Sequence, residues 1–390
     1  MGKVIITRQK NRLLVTLFDE KKPVLMETAP LPADEGILGN IYLAYVQDVV
    51  KSIHGAFLSI ADKQTVYLPL SEKASYLCAN RSIETGELPR QGDELVVQIT
   101  GEALKTKQPT ASCDLTMTGQ YVVCNFMGHG IVFSKKLDQE KKSELETLIK
   151  KAELSGRKNY RFTIRTNAGN LLDVNPLLEE IKHFIQVFDE LKECYKYRKV
   201  NSCLYKSEQE IVKVIKNFPL SSYEEIVTDD ETVYKLLKDS EKTVRFYKDE
   251  MISLSKLYSI ETHLEEALSK KVWLPCGGYL IIEPTEAMVV IDVNSGKTDP
   301  RDKKNTDYFL KVNLEAAKEI ARQLRLRNYS GMIMVDFINM ENKFHKEKLI
   351  KDFDLFLKED RIPTKLIDMT ALGIVEITRK KINKPLADFF

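Results

Sequence analysis

Apolar residues change their spacing several times along this chain, and each change marks a new element. Residues 3 to 8 and 12 to 18 are apolar runs flanking Gln9, Lys10 and Asn11, which predicts a hairpin, and Pro23 to Thr28 adds a third strand. From Gly36 onward the runs I-Y-L-A-Y-V, G-A-F-L-S-I, T-V-Y-L-P-L and E-L-V-V-Q-I-T are short and separated by turn residues, as in a small barrel. Two further strand runs, L-T-M-T-G-Q-Y-V-V and G-I-V-F-S, come before a switch to helical spacing. Leu145, Leu148, Ile149 and Ala152 predict an amphipathic helix from Asp138 to Leu154. Asn175 and Pro176 then read as the N-cap and first-turn proline of a long helix. Its core stripe is Leu177, Leu178, Ile181, Phe184, Ile185, Phe188 and Leu191. Between about 203 and 270 helix and strand signals alternate, and Asp229-Asp230 there reads as a helix cap.

The pattern is most informative where apolar strands end on aspartate. G-G-Y-L-I-I-E-P-T-E-A-M-V-V-I-D-V-N, from Gly277 to Asn294, and G-M-I-M-V-D, ending at Asp336, each deliver a carboxylate to the rim of a sheet. Asp292 and Asn294 are two apart, so a continuing strand points them to one side. With Asp336 they form an oxygen-rich set suited to a hard cation such as Mg²⁺ that keeps several waters. Asp followed by Asn-Ser-Gly is also what an ordinary turn or cap looks like, so spacing alone leaves both readings open.

Composition narrows the class. A chain of 390 residues with 30% charged and 43% hydrophobic residues is long enough for two or more domains and has an ordinary globular balance. The net charge of +2 means that a nucleic-acid surface has to be a local basic patch. No apolar run is long enough to span a bilayer and Met1-Gly2-Lys3-Val4 opens without a signal-peptide pattern, so a cytoplasmic, membrane-free protein is expected. Cys78, Cys113, Cys124, Cys194, Cys203 and Cys276 include no C-x-x-C pair, so no structural zinc is expected. None of His54, His129, His183, His263 or His345 sits in a recognisable catalytic pair.

The segment around Asp292, followed by N-L-E-A-A-K-E-I-A-R-Q-L-R-L-R-N at 313 to 328 and G-M-I-M-V-D-F-I-N-M at 331 to 340, closely resembles the catalytic region of the ribonuclease E/G family. The resemblance implies an α+β multidomain fold. A ribonuclease H-like subdomain (1–35 and 201–270) would carry an inserted S1-type OB-fold barrel (36–114) and a 5′-sensor module (115–200), followed by a deoxyribonuclease I-like catalytic subdomain (271–390). It also implies a Mg²⁺-dependent endoribonuclease, with Mn²⁺ as substitute ion, acting on single-stranded RNA in rRNA processing or mRNA decay and preferring 5′-monophosphorylated ends. Asp292 and Asp336 match the metal ligands and Asn294 the orienting residue. Phe57 and Tyr67 match RNA-stacking aromatics of the barrel and Lys107 its basic position, although by residue type alone Phe57 also reads as barrel core. Gly119, Val123, Arg165 and Thr166 match the 5′-phosphate sensor, where an Arg fork beside a hydroxyl suits a terminal phosphate.

The resemblance allows a homodimer through the catalytic domain, while the Cys-x-x-Cys zinc link and small C-terminal domain of the family are not expected here. Basic residues at Lys318, Arg322 and Arg325, and at Arg379, Lys380, Lys381 and Lys384, read either as a solvated face or as part of an RNA path. One departure, Ala371 in T-A-L-G where many family members have a basic residue, keeps a rival reading open, that of a non-catalytic RNA-binding or ribosome-associated protein with the same fold.

Overall fold

In the computed structural model the first three strands are β1 (Lys3–Gln9), β2 (Arg12–Asp19) and β3 (Lys22–Pro30), an antiparallel meander as the apolar runs predict. The structure describes residues 2–34, 36–61, 64–84, 86–101, 103, 108–152, 159–171, 173–238, 243–296 and 306–390. The chain divides into two compact units, Pro32–Ser221 and the discontinuous pair Met1–Leu31 with Ser222–Phe390.

The continuous unit begins with β4 (Ile41–Val50), β5 (Gly55–Ser59), β6 (Thr65–Pro69), β7 (Glu94–Gly101) and β8 (Thr110–Ser112). Pairing runs β4-β5-β6-β8-β7 and returns from β7 to β4, so these five strands close a barrel compatible with an OB-fold. Alternate residues such as Ala56, Leu58, Val66 and Leu68 fill it. The same unit continues with β9 (Thr116–Thr118), β10 (Val122–Gly128), β11 (Gly130–Phe133), α1 (Gln139–Lys151), β12 (Asn159–Ile164) and α2 (Asn175–Cys194). These strands form a four-stranded sheet in the order β11-β12-β10-β9. Leu177, Ile181, Phe184, Ile185, Phe188 and Leu191 of α2 are buried in one core with Phe126, Tyr160 and Phe162 of that sheet. Then follow β13 (Ser202–Tyr205), which pairs with β4, and α3 (Glu210–Lys216).

One cap differs from expectation. Asp138 caps α1 as predicted, accepting from the Lys141 N–H at 2.7 Å, but Asn175 is the first residue of α2 and its side chain caps nothing. The cap position is Val174, which has no side-chain cap, and Asp173 before it accepts from the Asn175 N–H at 3.0 Å and from Nδ2 at 3.1 Å. A carboxylate at a helix N-terminus gains from the dipole as well as the hydrogen bond, which an amide does not.

The discontinuous unit resumes with β14 (Glu225–Thr228), α4 (Glu231–Leu237), β15 (Thr243–Phe246), α5 (Leu254–Leu257) and α6 (Ile260–Leu268). β14 lies parallel to β1 and β15 parallel to β14, completing a five-stranded sheet in which Val4, Ile5 and Ile6 of the central β1 are buried. Asp230 caps α4 as read, accepting from Val233 N at 2.9 Å.

The last part is β16 (Lys271–Trp273), β17 (Tyr279–Pro284), β18 (Met288–Asn294), α7 (Thr306–Arg327), β19 (Gly331–Asp336), α8 (Lys343–Lys358), β20 (Thr364–Met369) and β21 (Ile374–Arg379). The six strands form one sheet in the order β16-β17-β18-β19-β21-β20. Val289, Ile291, Val293, Ile333, Val335, Val375 and Ile377 face one side and share a core with α7 and α8. The alternate positions emerge on the opposite face, where Val290 and Met332 are exposed. That open face carries the candidate chemistry. Among the described residues, no helix is long and apolar enough to cross a membrane.

Candidate functional sites

β18 and β19 are parallel neighbours, and their register sets Asp292 directly opposite Asp336. Both are exposed on the open face at the C-terminal ends of their strands. Neighbouring strands lie about 5 Å apart, so the two carboxylates issue from adjoining backbone positions. Asn294, two residues on, donates from Nδ2 to Asp292 Oδ2 at 2.7 Å, which orients that carboxylate and leaves its other oxygen for a ligand. Two carboxylates with hydrogen-bond support and access to water fit a hard divalent ion that retains most of its hydration. Among the described residues no group of three or more His, Cys, Asp or Glu converges as a metal cage.

The strand ends are held by residues that sequence reading passed over. Gly278 lies so close to the end of β18 that a Cβ on it would stand 2.7 Å from the Asn294 carbonyl oxygen, so any side chain there would push the strand end away. Glu315 of α7 accepts from the Cys276 N–H at 2.9 Å, tying down the same turn. Asn313, fully buried in α7, donates to the Ile338 carbonyl at 2.8 Å and accepts from the Ile338 N–H at 3.1 Å, fixing the segment that leaves Asp336. α7 starts at Thr306, which places Asn313 well inside it. The available signal was a polar Asn313 at a position where the helical period calls for an apolar residue.

On the barrel, Phe57 of β5 and Tyr67 of β6 are register partners with ring centroids 5.8 Å apart. Both are partly exposed, while their strand neighbours Ala56, Leu58, Val66 and Leu68 fill the interior. The barrel-core reading of Phe57 is therefore overturned by the alternation of its strand. The Tyr67 hydroxyl donates to the Ile53 carbonyl at 3.1 Å, which fixes its ring. Lys107 lies outside the described residues.

Arg165 and Thr166 follow β12, and the Arg165 N–H donates to the Tyr121 carbonyl at 2.7 Å. Its guanidinium donates from Nη1 to the Gly119 carbonyl and from Nη2 to Asn217 Oδ1 at 2.7 Å. Thr166 shares a 2.8 Å hydrogen bond with Ser134 through their hydroxyls. Val123 lies on β10, paired with Thr163 and Thr118. Glu180 of α2 was not anticipated: its carboxylate accepts from the N–H groups of Gln120, Tyr121 and Val122 at 2.6, 2.8 and 2.9 Å. Gly119 gives that carboxylate its room, because a Cβ would fall 2.1 Å from the carboxyl carbon and push Glu180 off the three N–H groups. Burial pushes the Glu180 carboxyl up from the ordinary carboxylate range against the pull of these N–H bonds, and burial likewise draws the Arg165 guanidinium down.

Three of the basic residues set aside for an RNA path are engaged within the fold. Arg379 alternates onto the buried face of β21 and is 3% exposed, bonding Asp360 at 2.7 Å, Asn328 at 2.9 Å and the Tyr329 carbonyl at 3.0 Å. Arg322 donates to the Pro23 carbonyl at 2.6 Å and pairs with Glu319. Arg325 reaches Glu359 at 3.5 Å and the Phe356 carbonyl at 3.4 Å. Lys318, Lys380, Lys381 and Lys384 are exposed.

The sequence profile of the ribonuclease E/G family matches residues 116–382. The chain is 30% identical to ribonuclease G of Escherichia coli K12 over 372 residues, which covers 91% of this chain and 75% of that protein. It is 28% identical to ribonuclease E of Synechocystis sp. over 404 residues, covering all of this chain and 58% of that protein. Against ribonuclease E of Nostoc sp. the identity is 30% over 365 residues, covering 90% and 52%. The chain thus spans little more than half the length of these ribonuclease E relatives.

Proposed function

The chain belongs to the ribonuclease E/G family, and from that premise we propose that it is an endoribonuclease that hydrolyses single-stranded RNA at Asp292 and Asp336. The observation that carries this reading is their register pairing on the exposed face of the sheet, with Asn294 bonded to one of them. Among the described residues neither carboxylate has a basic partner, so the pair would repel a polyanion unless a cation lay between them.

In this reading Asp292 and Asp336 hold Mg²⁺, for which Mn²⁺ can substitute, and Asn294 keeps Asp292 in one orientation. The ion supplies polarisation of the scissile phosphate and a lowered pKa for the attacking water. Hydrolysis in this sense leaves a 5′-phosphate and a 3′-hydroxyl. The closed barrel serves as the S1-type RNA-binding domain, with Phe57 and Tyr67 stacking on bases and Lys107 contributing a basic contact. The five-stranded sheet of β1 to β3, β14 and β15 is the ribonuclease H-like part, and the six-stranded sheet with α7 and α8 the deoxyribonuclease I-like part. A homodimer through that last part, a cytoplasmic site of action, and rRNA processing or mRNA decay as the process complete the reading.

A preference for 5′-monophosphorylated RNA is assigned to Gly119, Val123, Arg165 and Thr166. It is supported by an Arg fork beside three aligned backbone N–H groups, the donor set that a terminal phosphate takes. Glu180 holds those N–H groups, so the end phosphate must exchange with its carboxylate.

The test is incubation of 5′-monophosphorylated and 5′-hydroxyl single-stranded RNA with the protein, in Mg²⁺ or in excess chelator. Mg²⁺-dependent internal cleavage, faster on the monophosphate, is expected. RNA binding without cleavage under both conditions would replace the enzyme by a non-catalytic RNA-binding protein of the same fold.

A further inference from the structure

The open face of the six-stranded sheet carries a second cluster, at its β16 edge, to which nothing so far gives a role. Trp273, the single tryptophan of the chain, is 65% exposed. Its ring meets that of Tyr279 edge to face, with centroids 5.4 Å apart. Lys271 Nζ stands 3.8 Å from the Trp273 centroid and 3.9 Å from that of Tyr279. A cation held by two rings fixes their planes, and leaves a large flat surface in water where a lone tryptophan would ordinarily be covered.

The register ties this cluster to the carboxylates. Trp273 is opposite Tyr279, and Tyr279 is opposite Asn294. In the adjoining row Lys271 is opposite Ile281, Ile281 opposite Asp292, and Asp292 opposite Asp336. Residues opposite one another share a face, so the rings, the ammonium group and both aspartates all emerge from the same side. Two strand spacings, roughly 10 Å, separate Trp273 from Asn294. The arrangement is a flat π-surface and a positive charge in line with a phosphate-cleaving pair, which are the components that hold a single strand.

We infer that Trp273, Tyr279 and Lys271 form a nucleotide subsite, with Trp273 stacking on a base that flanks the scissile phosphate and Lys271 meeting the backbone. The inference rests on the endonuclease reading of Asp292 and Asp336. It makes the subsite tolerant of base identity, because every base presents a π-face.

The single tryptophan allows a direct readout. The Asp292→Asn variant, expected to retain binding with cleavage strongly slowed, is titrated with a labelled single-stranded oligoribonucleotide while label anisotropy and tryptophan emission are followed together. Emission is expected to be quenched with the same midpoint as the anisotropy change. An abasic nucleotide beside the cleavage site is expected to remove the quenching and weaken binding on the order of 5- to 100-fold. In the same background Trp273→Ala should show that same loss, with no further loss on abasic RNA, and Trp273→Phe should recover most of the affinity. RNA binding with silent tryptophan emission overturns the subsite, and if wild-type protein still cuts RNA the endonuclease reading stands without it. Absence of cleavage by wild-type protein in Mg²⁺ overturns both. Emission that follows protein concentration and ignores RNA assigns the face to a second copy of the chain and overturns the subsite.

Discussion

Asp292 and Asp336 stand on an exposed sheet face where Asn294 bonds Asp292, whereas Arg165 and the N–H groups of residues 120–122 are already satisfied by Gly119, Asn217 and Glu180. The first arrangement leaves charge facing water and ready for a cation. The second supplies its own anion: Glu180 occupies three aligned donors much as a phosphate would. An incoming ligand gains the whole of its interaction at the first site but only the difference from Glu180 at the second. The two sites are therefore expected to answer very differently to substitution.

The largest effect belongs to the open site. Asp292→Asn and Asp336→Asn keep the side-chain size and remove a charged ligand, so cleavage in Mg²⁺ should fall by about a hundredfold or more while RNA binding is retained. Wild-type rates from both variants would end the metal-site reading. Asn294→Ala takes away the orienting hydrogen bond and should raise the Mg²⁺ concentration needed for half-maximal cleavage by about 10- to 100-fold, with a smaller change at saturating Mg²⁺. An unchanged metal requirement would leave Asn294 without that role.

The barrel comes next. Phe57→Ala or Tyr67→Ala should weaken single-stranded RNA binding by about 1 to 3 kcal/mol with little dependence on base identity. Because Phe57 lies outside the filled interior, unfolding and binding should separate in a thermal melt run beside the titration. The smallest effects are expected at the closed site. Arg165→Ala should bring the cleavage rate of monophosphorylated RNA toward that of the hydroxyl form. Glu180→Gln removes the internal anion and should widen the difference between the two RNA forms by a few-fold, since one charge-assisted competitor is lost. Equal rates on both forms in the wild type, together with a difference in Glu180→Gln, would mean that Glu180 silences the site.

Much of this could be read from one-dimensional pattern. The β1–β2 hairpin, the barrel strands, the α2 stripe and the two strands ending on aspartate all followed from periods of two or 3.6 and from turn residues. Arg379 was within reach too. Val375 and Ile377 point into the core, and a period of two carries Arg379 to the same face, but its charge suggested solvent. Its partner Asp360 lies 19 residues away, and no local pattern announces it. Glu180 was hidden for the same reason, since α2 reads as an amphipathic helix with glutamates on its polar side and the N–H groups it meets are about 60 residues earlier.

Sequence alone determined the elements, their apolar faces and the residue types at the strand ends, because these depend on dihedral preference and on side-chain period, which are local. Tertiary structure alone decided the pairing. Placing Asp292 opposite Asp336, Trp273 in line with Asn294, and Glu180 on the amides of 120–122 depends on strand register and helix docking. Those are settled by burial summed over whole faces: a one-residue slip of a strand would turn its Asp292, Asp336 or Trp273 to the other side of the sheet, and a rotation of α2 would carry Glu180 away from the amides.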